Sequence, residues 1–210
     1  MLFFFSQLTN LILNEGTMHT AEEFKKGEKR ARLTEAAETL FYQQGVHRTT
    51  LADIAQEAEV PLGNIYYHFR TKELLIEAVI EARLLENQEN FAAWEQDPDP
   101  VHRLLSFIRA GQAGAEQIAF YGCPCGSLSQ EMGKSDDQLA QKTAEIFRCQ
   151  LEWVTQQFCL LGKGEEASDL AVDLVAWLQG ASLLTNSSHS PDLLKRKLAR
   201  MEDWLAHVVS

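Results

Sequence analysis

A chain of 210 residues with 45% apolar content and a net charge of −11 can bury one or two modest cores. It is too acidic to attract a polyanion over its whole surface. No apolar run reaches the roughly 18 residues that a membrane span needs. Its four cysteines, at 123, 125, 149 and 159, are too few for a disulfide framework, which points to a reducing, cytoplasmic setting. Five prolines among abundant Ala, Leu, Glu and Gln favour an all-α protein.

The opening MLFFFSQLTNLILNEG is apolar but has no basic flank, so no secretory signal is expected. Residues 1–19 are expected to be an extension, either disordered or upstream of a start at Met18. In GEKRARLTEAAETLFYQQG the apolar residues Leu33, Ala36, Ala37, Leu40 and Phe41 recur at helical spacing, and Gly45 suits the C-cap. TLADIAQEAEV starts as a capping box at Thr50 and Asp53, and its apolar face is Leu51, Ile54, Ala55 and Ala58. Val60-Pro61 ends it. LGNIYYHF is a second short helix with Ile65 and Phe69 inward. Thr71 caps a long fourth helix with the stripe Leu74, Leu75, Ala78, Val79, Ala82 and Leu85.

DPDP marks a boundary, with Asp99 as cap and Pro100 at the first helical position. One helix should run from Val101 towards Phe120. YGCPCGSLSQEMGK is turn-rich, with a short helix starting at Gly126-Ser127. A long helix to about Leu161 follows, capped by Ser135 with Gln138 and carried on Leu139, Thr143, Ile146, Phe147, Val154 and Phe158. The last two helices cover about 167–184 and run on from Pro191, the latter capped by Ser190. The expected total is about nine.

Charge is unevenly spread. From Thr20 to Leu75, 8 Lys and Arg meet 9 Asp and Glu; from Ile76 to Ser210, 11 meet 20. A polyanion is tolerable only at the first segment, where Lys25, Lys26, Lys29, Arg30, Arg32, Arg48, Arg70 and Lys72 lie at the edges. Two short helices joined by a tight turn behind a longer one make a helix-turn-helix, whose second short helix enters a DNA major groove. Thr50, at a helix N-terminus, offers its hydroxyl and backbone N–H groups to a phosphate. Gly63 lets the recognition helix approach the duplex. Asn64 and Tyr67 face base edges, while Arg48, Tyr66, His68 and Lys72 suit the backbone.

TTLADIAQEAEVPLGNIYYHFRTKELL resembles the DNA-binding signature of the TetR family of transcriptional regulators over about Lys29 to Leu75. The matching positions are Thr50, Ile54-Ala55, Gly63, Ile65-Tyr66, His68-Phe69 and Lys72. Two positions depart: Glu59 stands where the family has a turn glycine, and Pro61 where it has a capping serine. The resemblance implies a helix-turn-helix domain at 20–75 and a ligand-binding and dimerisation domain at 76–210. It also implies a homodimer on palindromic double-stranded DNA, released by a small-molecule effector, most often as a repressor. No enzyme activity, cofactor, metal or membrane partner is expected.

The apolar faces of LAVDLVAWLQGASLL and of the last helix (Leu193, Leu194, Leu198, Met201, Leu205 and Val208) would be exposed in a monomer. Candidate pocket residues are Phe107, Phe120, Tyr121, Trp153 and Trp177, each equally explicable as core. GCPCGSL resembles a Gly-Cys-Pro-x-Gly-Ser/Asn-Leu segment of a TetR subgroup that responds to electrophiles or small unsaturated acids. Cys123 takes the shared cysteine's place and Cys125 is extra. A thiol sensor and a tight structural turn remain open for this pair; a metal site lacks spaced partners. Cys149 and Cys159 are expected to be buried packing residues. The alternative from another class is a thiol-disulfide enzyme using Cys123 and Cys125, for which the βαβ context is missing.

Overall fold

The computed structural model describes residues 21–134 and 137–210. The expectations for residues 1–19 and for the cap at Ser135 lie outside the described residues. Ten helices occur among the described residues: α1 (Ala21–Gln44), α2 (Leu51–Glu57), α3 (Leu62–His68), α4 (Lys72–Trp94), α5 (Pro100–Ala113), α6 (Ala115–Tyr121), α7 (Pro124–Met132), α8 (Asp137–Leu160), α9 (Ala167–Ser188) and α10 (Pro191–Val209).

Local chemistry sets most of the ends. Gly45 closes α1 at φ 87°, a left-handed value that glycine adopts without a Cβ clash. Thr50 accepts from the Asp53 N–H while Asp53 accepts from the Thr50 N–H, completing the expected capping box. Thr71 and Asp99 cap α4 and α5. Ser190 precedes α10 but makes no side-chain cap bond. The helix expected from Val101 to Phe120 breaks at Gly114, which ends α5 and starts α6. The supposedly turn-rich segment is mostly α7.

Two cores share α4. The first joins Leu33, Phe41, Ile54, Ile65, Phe69 and Leu75 of the N-terminal helices to Leu128 and Met132 of α7 and Leu139 and Ile146 of α8. The second gathers the end of α4 with α5, α6, α8, α9 and α10. The face of α4 is rotated from the expected one: Leu74 and Leu85 are exposed, whereas Ile76 and Ile80 are buried. Arg83 of α4 pairs with Glu38 of α1 at 2.6 Å.

Glu59, in the turn between α2 and α3, sits at φ 52°, as a turn glycine would. Left-handed backbone costs a non-glycine residue about 1 kcal/mol. Its ion pair with Arg32 at 3.7 Å is mostly solvent-exposed and returns little. Glu59→Gly is therefore expected to stabilise the protein by up to about 1 kcal/mol, a rise of about 2–4 °C in Tm by calorimetry. A lowered Tm would show that the Arg32 pair outweighs the backbone strain.

Candidate functional site

The exposed face of α3 is built by period. Ile65 and Phe69 go fully into the core, which turns Gly63, Tyr66 and Tyr67 outward. Tyr66 is 53% and Tyr67 69% exposed, a large aromatic surface for a helix of seven residues. A Cβ placed on Gly63 would meet nothing within 4 Å. Asn64 and His68 are half-buried at the edges of the same face. Pro61 precedes α3 and leaves its N-terminus without a side-chain cap.

α1 adds a basic wall to this face. Lys26 Nζ lies 5.1 Å from the Tyr67 ring centroid and the Arg30 guanidinium 4.3 Å from that of Phe69, in the range of cation–π attraction. Arg30 Nη1 also donates to the His68 carbonyl at 3.5 Å. Burial first, then the charges of Lys26, Lys29 and Arg30, push the His68 pKa down. Its imidazole is accordingly neutral at pH 7, and α1 brings positive charge to this end of α3.

Other expected phosphate contacts are occupied differently. The Thr50 hydroxyl donates to Asp53 Oδ2 at 2.7 Å, and that oxygen also takes the Thr50 N–H at 2.8 Å. Lys72 is half-buried, and its ammonium donates to the Val46 carbonyl. Arg48 is exposed and donates through Nε to the Gln44 carbonyl at 2.8 Å.

The five pocket candidates do not converge. Trp153 stacks on Phe91 at 4.6 Å, with Trp94 and Phe107 around it, and its Nε1–H donates to Glu95 Oε1 at 2.8 Å. Phe107 and Trp153 are therefore packed core. Trp177 is half-buried against Trp204, 6.1 Å away. Phe120 and Tyr121 are exposed beside a cleft of about 340 Å³ between α1 and α6–α7, lined also by Tyr42, His47, Arg48 and Asn186.

Cys123 is the N-cap of α7, with the Gly126 N–H donating to its Sγ at 3.4 Å. A thiol hydrogen bond from Cys125, opposed by burial and helped by the N–H of Gly126 and by Gln179, lowers the Cys123 pKa to about 6. The same bond and burial push the Cys125 thiol up. Of the other two, Cys149 is half-buried and packs against the second core, whereas Cys159 is exposed and is not the buried packing residue expected. The helical face of α8 points Cys159 outward while Phe158 beside it fills the core.

Residues 33–79 match the family described as bacterial regulatory proteins, tetR family. Residues 100–199 match the C-terminal domain described as transcriptional regulator LmrA/YxaF-like. The HTH-type transcriptional repressor DhaR of Mycobacterium sp. (strain GP1) is 30% identical over 153 residues, covering 70% of this chain and 74% of that protein. The chain belongs to the TetR family.

The HTH-type transcriptional regulator TtgR of Pseudomonas putida is 46% identical over 77 residues, which span only 37% of this chain and 36% of that protein. Among solved structures, a TetR transcriptional regulator from Legionella pneumophila has the same fold, with a TM-score of 0.75 at 18% identity over 92% of this chain and all of that one. This TetR-family chain is thus a transcriptional regulator with an N-terminal helix-turn-helix, and its relatives lend no support to the thiol-disulfide enzyme.

Sequence reasoning placed the basic residues at the edges of the segment without seeing that α1 carries Lys26, Lys29 and Arg30 to the end of α3. It also missed Tyr42, whose hydroxyl donates to the Gly122 carbonyl at 2.8 Å; burial pushes that phenol up to about 12. Glu131 was missed as well. It accepts from the Val46 N–H at 2.9 Å and the His47 N–H at 3.3 Å. A lone acidic residue in the last turn of a helix carries no sequence signal for such a role.

Proposed function

We propose that this regulator is a homodimeric, cytoplasmic repressor without enzyme activity. It binds a palindromic operator through residues 20–75 and releases it when an effector acts on residues 76–210. The observation that carries the reading is the outward face of α3, with Gly63, Asn64, Tyr66 and Tyr67 set beside Lys26, Lys29 and Arg30 of α1. Aromatic hydroxyls and an amide supply base and sugar contacts, and the α1 cations supply phosphate contacts. The acidic remainder repels the duplex, so that binding is confined to one face. Selection of fragments from random duplex DNA by the purified protein tests the reading. The enriched fragments should be palindromic, with affinity falling linearly in log–log salt plots. Enrichment of no sequence would sink it.

For the dimer, the last helix is not the support it was expected to be. Leu194, Leu198, Met201 and Leu205 of α10 are buried within the protomer. The unburied apolar stripe lies on α9 instead: Val172, Leu183 and Leu184 are exposed, and a Cβ on Gly180 between them would meet nothing within 4 Å. A second copy packing along this stripe removes it from water and leaves room at Gly180 for close helix approach.

For the effector, the GCPCGSL subgroup resemblance and the Cys123 environment together support thiol modification, while the cleft beside Phe120 and Tyr121 supports a small non-covalent ligand. Only the thiolate is nucleophilic, and at pH 7 a thiol of pKa about 6 is mostly thiolate. Alkylation of Cys123 by iodoacetamide, followed by peptide mapping, should therefore rise to half its plateau near pH 6. Cys149, whose thiol burial pushes up, should lag throughout. A Cys123 profile with its midpoint above pH 8 would leave the turn structural and the effector non-covalent.

A further inference from the structure

The loop between α1 and α2, residues 45–50, is gripped from two sides at a single residue. Val46 is buried. Its N–H donates to Glu131 Oε2 at 2.9 Å, with the His47 N–H on the same oxygen at 3.3 Å, while its carbonyl accepts from the Lys72 ammonium. Gly45 adjoins this grip: a Cβ there would stand 3.0 Å from Glu131 Oε1. Within the loop, the Thr49 hydroxyl donates to the Gly45 carbonyl at 2.8 Å. Four residues after Val46 the chain starts α2 at Thr50.

The two gripping residues come from different parts of the molecule. Lys72 opens α4, directly after the recognition helix. Glu131 lies in the last turn of α7, whose first turn is capped by Cys123. Leu128 and Met132 of the same helix are buried in the core of the N-terminal helices, so α7 cannot shift without moving that core. Nine helical residues span about 13 Å. At the far end, Gln179 of α9 would stand 2.9 Å from a Cβ on Gly126, so α7 is wedged between the α9 helix and the α1–α2 loop.

We propose that Glu131 is a positioning residue for DNA binding: from α7 it fixes the α1–α2 loop, and so the start of α2, in the orientation that presents α3 to the duplex. A carboxylate is suited to this because one oxygen takes two backbone N–H groups that would otherwise be left unpaired at a helix–loop junction. Displacement of α7 at the cysteine turn then reaches the α1–α2 loop through this carboxylate, beside the core contacts of Leu128 and Met132. The inference rests on the regulator reading above but makes a claim about geometry that is measurable without DNA.

The test compares the full chain with Glu131→Ala and Glu131→Gln, with Glu131→Leu added to keep the packing if the alanine variant loses thermal stability. In Glu131→Ala and Glu131→Leu, hydrogen exchange at the Val46 and His47 amides should speed at least about tenfold, and affinity for a duplex selected by the parent should fall about tenfold. The salt slope should stay unchanged, since no phosphate contact is lost. Glu131→Gln keeps an acceptor oxygen and should stay within about threefold of the parent. Parent-like affinity in Glu131→Leu overturns the inference. A loss shared equally by Glu131→Gln, or a changed slope, overturns it too, by pointing to the charge of Glu131 rather than its hydrogen bonds. If the parent selects no duplex, the regulator reading fails, and the exchange rates judge the grip on the loop by themselves.

Discussion

Gly63→Leu should fold as stably as the parent and lose more than about a hundredfold in operator affinity, as far as its non-specific binding. The two halves of this result have separate causes. In the free protein a side chain at residue 63 enters open solvent, and a leucine favours the helix over glycine by up to about 1 kcal/mol. In the complex, the same face of α3 lies against the floor of a groove, and four added carbons hold it away from every base edge at once. Thermal unfolding and fluorescence-polarisation titration of one preparation separate the two. Parent-like affinity would mean that α3 does not enter the groove at this residue. Lost thermal stability would mean that Gly63 has a structural duty that its open surroundings do not reveal.

Trp153→Ala should cost about 3–5 kcal/mol of stability, the range for removing a large aromatic from a core. For a chain of this size that is a fall in Tm of about 6–20 °C. The indole is 6% exposed and stacks within 8° of parallel on Phe91. Its truncation opens a cavity among Trp94, Phe107 and Phe91 and leaves the Glu95 carboxylate without its indole donor. Differential scanning calorimetry reads the loss directly. Were Trp153 instead a wall of an effector pocket, Tm would change little and effector-induced DNA release would be lost. That outcome would reverse the assignment of this aromatic group to the core.

The same two residues show how far the sequence could be read. Gly63 is intelligible from its neighbours alone, because Ile65 and Phe69 fix the buried face of α3 and every other orientation follows by rotation. Trp153 is not. The period of α8 says that it faces inward, but whether the interior holds a ligand or other side chains depends on α4 and α5, distant in the chain. The same limit explains Lys72 and Thr50. Both were placed correctly at helix starts, but the sequence did not show that their polar atoms also bond within the chain, to Val46 and Asp53.

The sequence by itself determined the all-α class, the helix-turn-helix, and most helix ends, because caps, prolines and left-handed turn positions act within a few residues. The strained turn at Glu59 was legible only through the family resemblance, which puts a glycine there. Only the tertiary structure decided which apolar faces are covered. Leu194, Leu198 and Leu205 of α10 are core, whereas Leu183 and Leu184 of α9 are exposed, although both helices offered apolar faces. It also decided that α7, with its cysteine cap, packs into the core of the DNA-binding helices and lays Glu131 on Val46. Amphipathic periodicity specifies that a face is buried but carries no information about its cover. A carboxylate's choice of backbone partner 85 residues away is written only in how the helices pack.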